Sequence, residues 1–371
     1  MKKLLVLLAA LAALRVAPAA EPDGPYVLRN AVGKLEAWSV MVTPDGARKQ
    51  VTPVAVGDTL PVAAVGSLPA FGVRLRTPAP DAPDNVRADA RQPLFVVADT
   101  HGEYEILADM LMRHAVVDSA LRWKFGRGRL VFLGDVFDRG AHQLEILWLI
   151  YELEAQARKA GGAVYFVLGN HESMNLLGDL RYMNPRYRET LELLGVASYP
   201  DLFDAHSVLG QWLRSKPAVL KLGDLLCLHG GISPALADGK YTLAEINQRV
   251  RQVLNAGQLP AGNDADAQRT AFLFGSDGPL WYRGYFPAES AGGMATAADI
   301  DRIRASFGVE RILVGHTKVP TITPLYDGKV IAVQVYPAHD SFGNEIFESL
   351  LIRDGVLWRA RPDGRTEKLL P

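Results

Sequence analysis

Leu130-Val131-Phe132-Leu133-Gly134-Asp135-Val136-Phe137-Asp138-Arg139-Gly140 decides how the rest of the chain reads. An unbroken apolar run of this length suits a strand buried on both faces, since a strand with one wet face alternates instead. The run stops at glycine, and two carboxylates and an arginine follow at once. The same pattern recurs on both sides of it. Residues 94–98 are apolar and lead into Asp99-Thr100-His101. Residues 164–168 lead into Gly169-Asn170-His171-Glu172, 225–228 into His229-Gly230-Gly231, and 312–314 into Gly315-His316. Helical patterns at 104–114 and 142–159 fill the gaps, so the core is predicted to be α/β. Polar residues gather just beyond the carboxyl ends of the strands, where open α/β sheets place their sites.

The gathered residues offer oxygen and imidazole, a donor set for Mn, Fe or Zn. Side chains two apart on an extended segment face the same way, so Asp99 and His101 can grip one ion together. A carboxylate can bridge two ions about 3.5–4 Å apart, the spacing of two-metal hydrolases. Asp135, central in the order, is the expected bridge. Asn170, His229 and His316 would complete the second ion. Each residue also has a plainer reading: Asp135 as a helix cap, Asp138 as a turn former, His229 and His316 as core histidines. The joint placement of all of them at strand ends favours the metal reading.

The chain has 371 residues, 49% hydrophobic and 22% charged, as expected of a folded globular protein. Lys plus Arg number 40 against 41 Asp plus Glu, so no basic field is available to hold nucleic acid by bulk charge. The one cysteine, Cys227, excludes an intrachain disulfide and a cysteine-built cluster within this chain. Met1-Lys2-Lys3, an apolar run from Leu4 to Leu14 and Ala17-Pro18-Ala19 have the three parts of a secretory signal peptide, residues 1–19. Residues 20–90 read as a β-rich segment ending in a Pro/Ala/Asp-rich linker, and 91–371 as the catalytic domain. Residues 172–215 break the strand–helix rhythm and are expected to cap the site. Runs at 330–335 and 351–358, the second broken at Asp354-Gly355, supply strands for a second sheet. An exported soluble protein, periplasmic or secreted and without a membrane anchor once the signal is cleaved, is expected.

Gly134-Asp135-x-x-Asp138-Arg139-Gly140, Gly169-Asn170-His171-Glu172 and His229-Gly230-Gly231 resemble the signatures of the calcineurin-like metallophosphoesterases, in their phosphoprotein phosphatase branch. The likeness spans about residues 94–336. It implies two facing β-sheets flanked by helices, in four layers, with two divalent ions at one edge. Val136-Phe137, Val314-Gly315-His316-Thr317, the leader and the β-rich segment look like the bacterial Shewanella-like phosphatases, some of which act on phosphotyrosine. Leu168 departs from the arginine that the eukaryotic branch places before Gly-Asn-His-Glu. Lys318 stands where many other metallophosphoesterases carry a second histidine.

The resemblance implies hydrolysis of phosphomonoesters by a hydroxide activated between the two ions, with direct attack on phosphorus. His171 is the expected general acid, with Asp138 orienting its ring. Arg139 is the expected phosphate clamp, because a guanidinium meets two oxygens at once. Arg283 looks like the downstream arginine of the family, with Arg181 and Arg186 as rivals. Trp281, Tyr282, Tyr285 and Phe286 are readable either as a pocket for a phosphotyrosine ring or as core. Glu172 and Cys227 are read as structural. Substrates would be a phosphorylated peptide, protein or small phosphomonoester. The alternative is a nucleotide or dinucleotide polyphosphate hydrolase of the same superfamily.

Overall fold

The computed structural model describes residues 21–78, 80–89, 91–287 and 293–370. The expected leader lies outside the described residues. Among the described residues no helix is long and apolar enough to cross a membrane.

Three apolar runs of the sequence become adjacent parallel strands, Leu94–Val97, Arg129–Phe132 and Ala163–Phe166. Val97 pairs with Phe132 and Phe132 with Phe166, so all three strands end at one level. That register brings Asp99, Asp135 and Asn170, each a few residues further on, to the same edge. Ser349–Arg353 adds antiparallel to Leu94–Val97, and Val356–Ala360 and Thr366–Lys368 complete a six-stranded sheet. The turn at Asp354-Gly355 splits the expected 351–358 run into two of these strands.

The second six-stranded sheet repeats the arrangement. Leu225–Leu228, Arg311–Val314 and Val330–Ala332 are parallel, with Leu228 level with Val314 and Val314 level with Ala332. His229 and His316 therefore leave their strands side by side. Val219–Leu222 forms an antiparallel hairpin with Leu225–Leu228, so this sheet is mixed. Its far edge is Asn85–Val86, parallel to Val219–Leu222. The stretch read as linker thus contributes an edge strand.

Side-chain alternation explains why the sheets face one another. Val96 and Val131 of the first pack with Cys227, Leu313 and Ile331 of the second in one buried cluster. Their sequence neighbours Phe95, Leu130, Leu226 and Ile312 point the other way, into a core shared with the helices. Each fully buried aliphatic chain contributes about 1.5–3 kcal/mol. The long helix Gln143–Lys159 covers the outer face of the first sheet and buries Trp148 completely.

The N-terminal segment is a three-stranded antiparallel sheet, Asp23–Arg29, Leu35–Thr43 and Gly46–Val54, followed by the hairpin Thr59–Val62 and Phe71–Arg74. It is bonded to the catalytic part at several points. Trp148 Nε1 donates to the Pro25 carbonyl at 2.9 Å, and Arg29 N to the His206 carbonyl at 3.0 Å. Residues 172–215 carry the helices Arg186–Leu194 and Val208–Arg214. Thr190 of the first donates to the buried Asp23 carboxylate at 2.7 Å.

Candidate dimetal site

Asp99, His101, Asp135, Asn170, His171, His229 and His316 all converge at the shared edge of the two sheets, and all are buried. Five residues of the motifs take left-handed backbone: His101 (φ 44°), Asp135 (φ 55°), Asp138 (φ 73°), Arg139 (φ 66°) and His316 (φ 62°). Each such residue costs of order 1 kcal/mol or more, and such strain gathers at functional sites. Sharp turns explain it. Each strand must stop and throw its next polar side chain sideways, over the sheet edge. Gly169 makes this possible for Asp135: a Cβ there would lie 2.1 Å from Asp135 Oδ1.

Backbone carbonyls set the tautomers. His229 Nδ1 donates to the Leu133 carbonyl at 2.7 Å, and His101 Nδ1 to the Phe137 carbonyl at 2.8 Å. A carbonyl only accepts, so both Nδ1 atoms carry hydrogen, and a neutral ring then presents a lone pair at Nε2. His229 Nε2 lies 2.8 Å from Asn170 Oδ1, 3.1 Å from Asp135 Oδ2 and 3.1 Å from His316 Nδ1. His101 Nε2 lies 3.8 Å from Asp135 Oδ2 and 3.9 Å from Asp99 Oδ2. Lone pairs that converge in a buried space repel unless a cation sits among them. The donor set therefore fits two divalent ions, with Asp135 common to both groups.

Electrostatics agree. Burial pushes the Asp99 carboxyl up to about 6, with the His229 charge opposing and the Asp135 charge adding. Burial lowers His229, but Asp135 and Asp99 outweigh it and carry the ring to about 9. Without ions the site therefore holds a proton on His229. An ion must displace it, which couples metal binding to proton release.

The closest sets of donor atoms are His101, Asp135 and His171, and Asp135, His229 and His316. Asp99 stands slightly back from the first set, because its Oδ1 accepts the His316 amide at 3.0 Å. His171 enters it because its Nε2 lies 3.8 Å from Asp135 Oδ2. The ring is held from behind: Nδ1 meets Asp138 Oδ2 at 2.5 Å, and Asn175 Nδ2 donates to Asp138 Oδ1 at 3.0 Å. Burial opposes charge on His171, yet Asp135 and Asp138 together raise it above the ordinary histidine value. The carboxylate behind Nδ1 turns Nε2 toward the donor cluster, the arrangement of a general acid.

A calcineurin-like phosphoesterase model matches residues 93–320. This chain belongs to the calcineurin-like phosphoesterases. It is 35% identical to a cold-active protein-tyrosine phosphatase of a psychrophilic Shewanella species, whose crystal structure overlays with a TM-score of 0.80 over 94% of this chain and 100% of that one. It is 28% identical over 273 residues to Shewanella-like protein phosphatase 2 of Arabidopsis thaliana, covering 62% of this chain and 67% of the relative. A symmetrical bis(5'-nucleosyl)-tetraphosphatase of Methylococcus capsulatus is 28% identical over 167 residues, 45% of this chain and 52% of the relative. The chain is a metal-dependent phosphatase, of a family that uses two divalent ions.

In this phosphoesterase Glu172 clamps the motif loops together. Its buried carboxylate accepts the amides of Asp135 at 2.8 Å, Val136 at 2.7 Å and Gly169 at 2.7 Å. Arg283 reaches the site, donating to the His316 carbonyl and Thr317 Oγ1, each at 3.2 Å. Its rivals do not. Arg181 is exposed and paired with Asp179 at 2.6 Å, and Arg186 pairs with Glu21 and Asp23. Arg139 is exposed at the mouth. Residues 182–184 hold its backbone: the Tyr182 carbonyl accepts the Arg139 amide at 3.0 Å, and Asn184 Nδ2 donates to the Arg139 carbonyl at 2.8 Å.

Of the four expected aromatics, only Trp281 faces the site, edge-on to His316 at 5.7 Å. Tyr282, Tyr285 and Phe286 are core, and the Tyr285 hydroxyl is fixed by the Ile232 backbone. Two further rings beside the site were missed by sequence reasoning. Tyr182 lies 5.3 Å from His171 and is 47% exposed. Tyr336 lies 5.9 Å from His101 and is half-buried. Neither belongs to a motif, and only the fold brings them there. Asn175 had a signal: it lies one helical turn after His171, on the same face.

Proposed function

We propose that this chain is an exported protein phosphatase that removes phosphate from phosphotyrosine in proteins or peptides. The observation that carries the chemistry is the Asp138–His171 pair aimed into the buried donor cluster. The ions, Mn, Fe or Zn by donor type, would supply an acidified water and positive charge for the phosphoryl oxygens when bound. Asp99, His101 and Asp135 would hold one; Asp135, Asn170, His229 and His316 the other. Arg139 and Arg283 would orient the phosphate from the mouth and from the His316 side. His171 Nε2 would give its proton to the leaving oxygen, and Asp138 would steady the resulting ring. No residue need be phosphorylated. Cys227 is fully buried between the sheets, where burial pushes its thiol up to about 12, so it is no nucleophile at neutral pH.

Preference for phosphotyrosine is supported by the rings of Tyr182, Tyr336 and Trp281 around the mouth, which suit a phenyl leaving group. The similarity to the Shewanella protein-tyrosine phosphatase supports it too. Export to the periplasm or beyond rests on residues 1–19, and N-terminal sequencing of the mature protein should begin at Ala20.

The deciding experiment strips the protein of metal, reloads it with Mn, and measures phosphate release from matched phosphotyrosine, phosphoserine and phosphothreonine peptides and a dinucleotide polyphosphate. Metal-dependent release is expected from phosphotyrosine first. Turnover of the dinucleotide alone would keep the metal site and replace the substrate class.

A further inference from the structure

Tyr336 has two cations beside its ring. Lys318 Nζ stands 4.2 Å from the ring centroid and the Arg139 guanidinium 5.7 Å. The same ring lies 5.9 Å from that of His101, so both cations border the metal-binding edge. Lys318 is exposed and within electrostatic range of Arg139 and the Asp99 carboxylate. Among the described residues neither cation has a carboxylate ion-pair partner, whereas Arg181 and Arg186 nearby do. Two like charges are thus held near one another on one ring. That arrangement costs free energy in the unliganded protein, and a dianion between them would relieve it. Arg283 stands against His316 and Thr317. Lys318 follows Thr317 directly, so the loop after His316 touches one cation and carries another.

We propose that Lys318 is a phosphate-binding residue, with Tyr336 positioning its ammonium beside Arg139 to receive the phosphoryl oxygens of the substrate. The assignment rests on the phosphomonoesterase reading above. A flexible ammonium on an aromatic face can follow the phosphoryl group as it moves from ester to free phosphate. Lys318 would then govern affinity for the phosphate more than the rate of bond cleavage.

The test compares Lys318→Met (K318M), which keeps the apolar stem on Tyr336 but removes the charge, with Lys318→Arg (K318R). Two readouts are taken on Mn-loaded protein: KM and kcat for p-nitrophenyl phosphate, and the rise in unfolding temperature caused by inorganic phosphate. K318M should raise KM about tenfold with a smaller fall in kcat, and should lose most of the phosphate-induced rise. K318R should recover both. The thermal readout needs no turnover, so it judges Lys318 even if the wild type hydrolyses no monoester and the functional reading fails. Equal stabilisation of wild type and K318M by phosphate, or none of either, overturns the assignment. So does loss of bound Mn from K318M, which would make Lys318 a support for the ligands instead.

Discussion

His171 shows how a single ring is tuned by what lies behind it. Asp138 occupies Nδ1 at 2.5 Å, and the charges of Asp135 and Asp138 raise the ring against the effect of burial. A raised value means that the proton needed by the leaving group is present below the ring's own pKa and is lost as pH rises through it. The rate should therefore fall on the alkaline side. Asp138→Asn removes one of the charges that raise the ring, so its alkaline limb should move to lower pH. His171→Ala should keep its metals and lose roughly 10²-fold or more in kcat, most with poor leaving groups. A pH–rate profile of both variants checks this, and an unchanged rate for His171→Ala would remove the proposed acid. The placing of these residues at the site was legible in the sequence because each sits in a short block next to its strand. The roles of Lys318 and Tyr336 were not, since no local pattern distinguishes them from surface residues.

At the scale of elements, the turns after the strands matter more than the strands. Gly134 takes φ 87°, and a Cβ there would lie 2.4 Å from the Gly169 amide nitrogen, which is backbone and cannot swing aside. The strand Arg129–Phe132 and the helix Asn170–Leu176 can approach only because both turns are glycine. Gly134→Ala should destabilise the fold by roughly 2–4 kcal/mol, the range of strained or overpacked sites, and should loosen metal binding. Urea unfolding and metal titration of the variant measure both. The sequence also placed the five strands that lead into the site to within a residue or two, because continuous apolar runs leave little choice. It was less informative for the parallel–antiparallel pattern, since the short turn at Gly223-Asp224 that makes a hairpin looks like any other. The edge strand Asn85–Val86 lacks an apolar run altogether, and its pairing alone defines it.

The whole molecule is organised around a site that holds repelling groups together. Folding must bring Asp99, Asp135, His101, His229 and His316 into one buried space, and ions would turn that cost into stabilisation. Removing metal with a chelator should lower the unfolding temperature by several degrees, and Mn or Zn should restore it. Metal affinity should strengthen as pH rises toward 9, because the ion must displace the proton that the ion-free site keeps on His229. Calorimetric metal titration in two buffers of different ionisation enthalpy would count that proton. Residue type and order were enough to predict the two-sheet α/β core, the enzyme class and which side chains gather at the sheet edge. They are written locally: an apolar strand, then glycine, then the ligand. How the surrounding segments pack is written in long-range contacts instead. Asp23 reaches Thr190, Trp148 reaches Pro25, and Tyr182 and Asn184 fix Arg139. Those pairings depend on how residues 172–215 and the N-terminal sheet dock, and docking is decided by shape and buried surface that no single stretch of sequence contains.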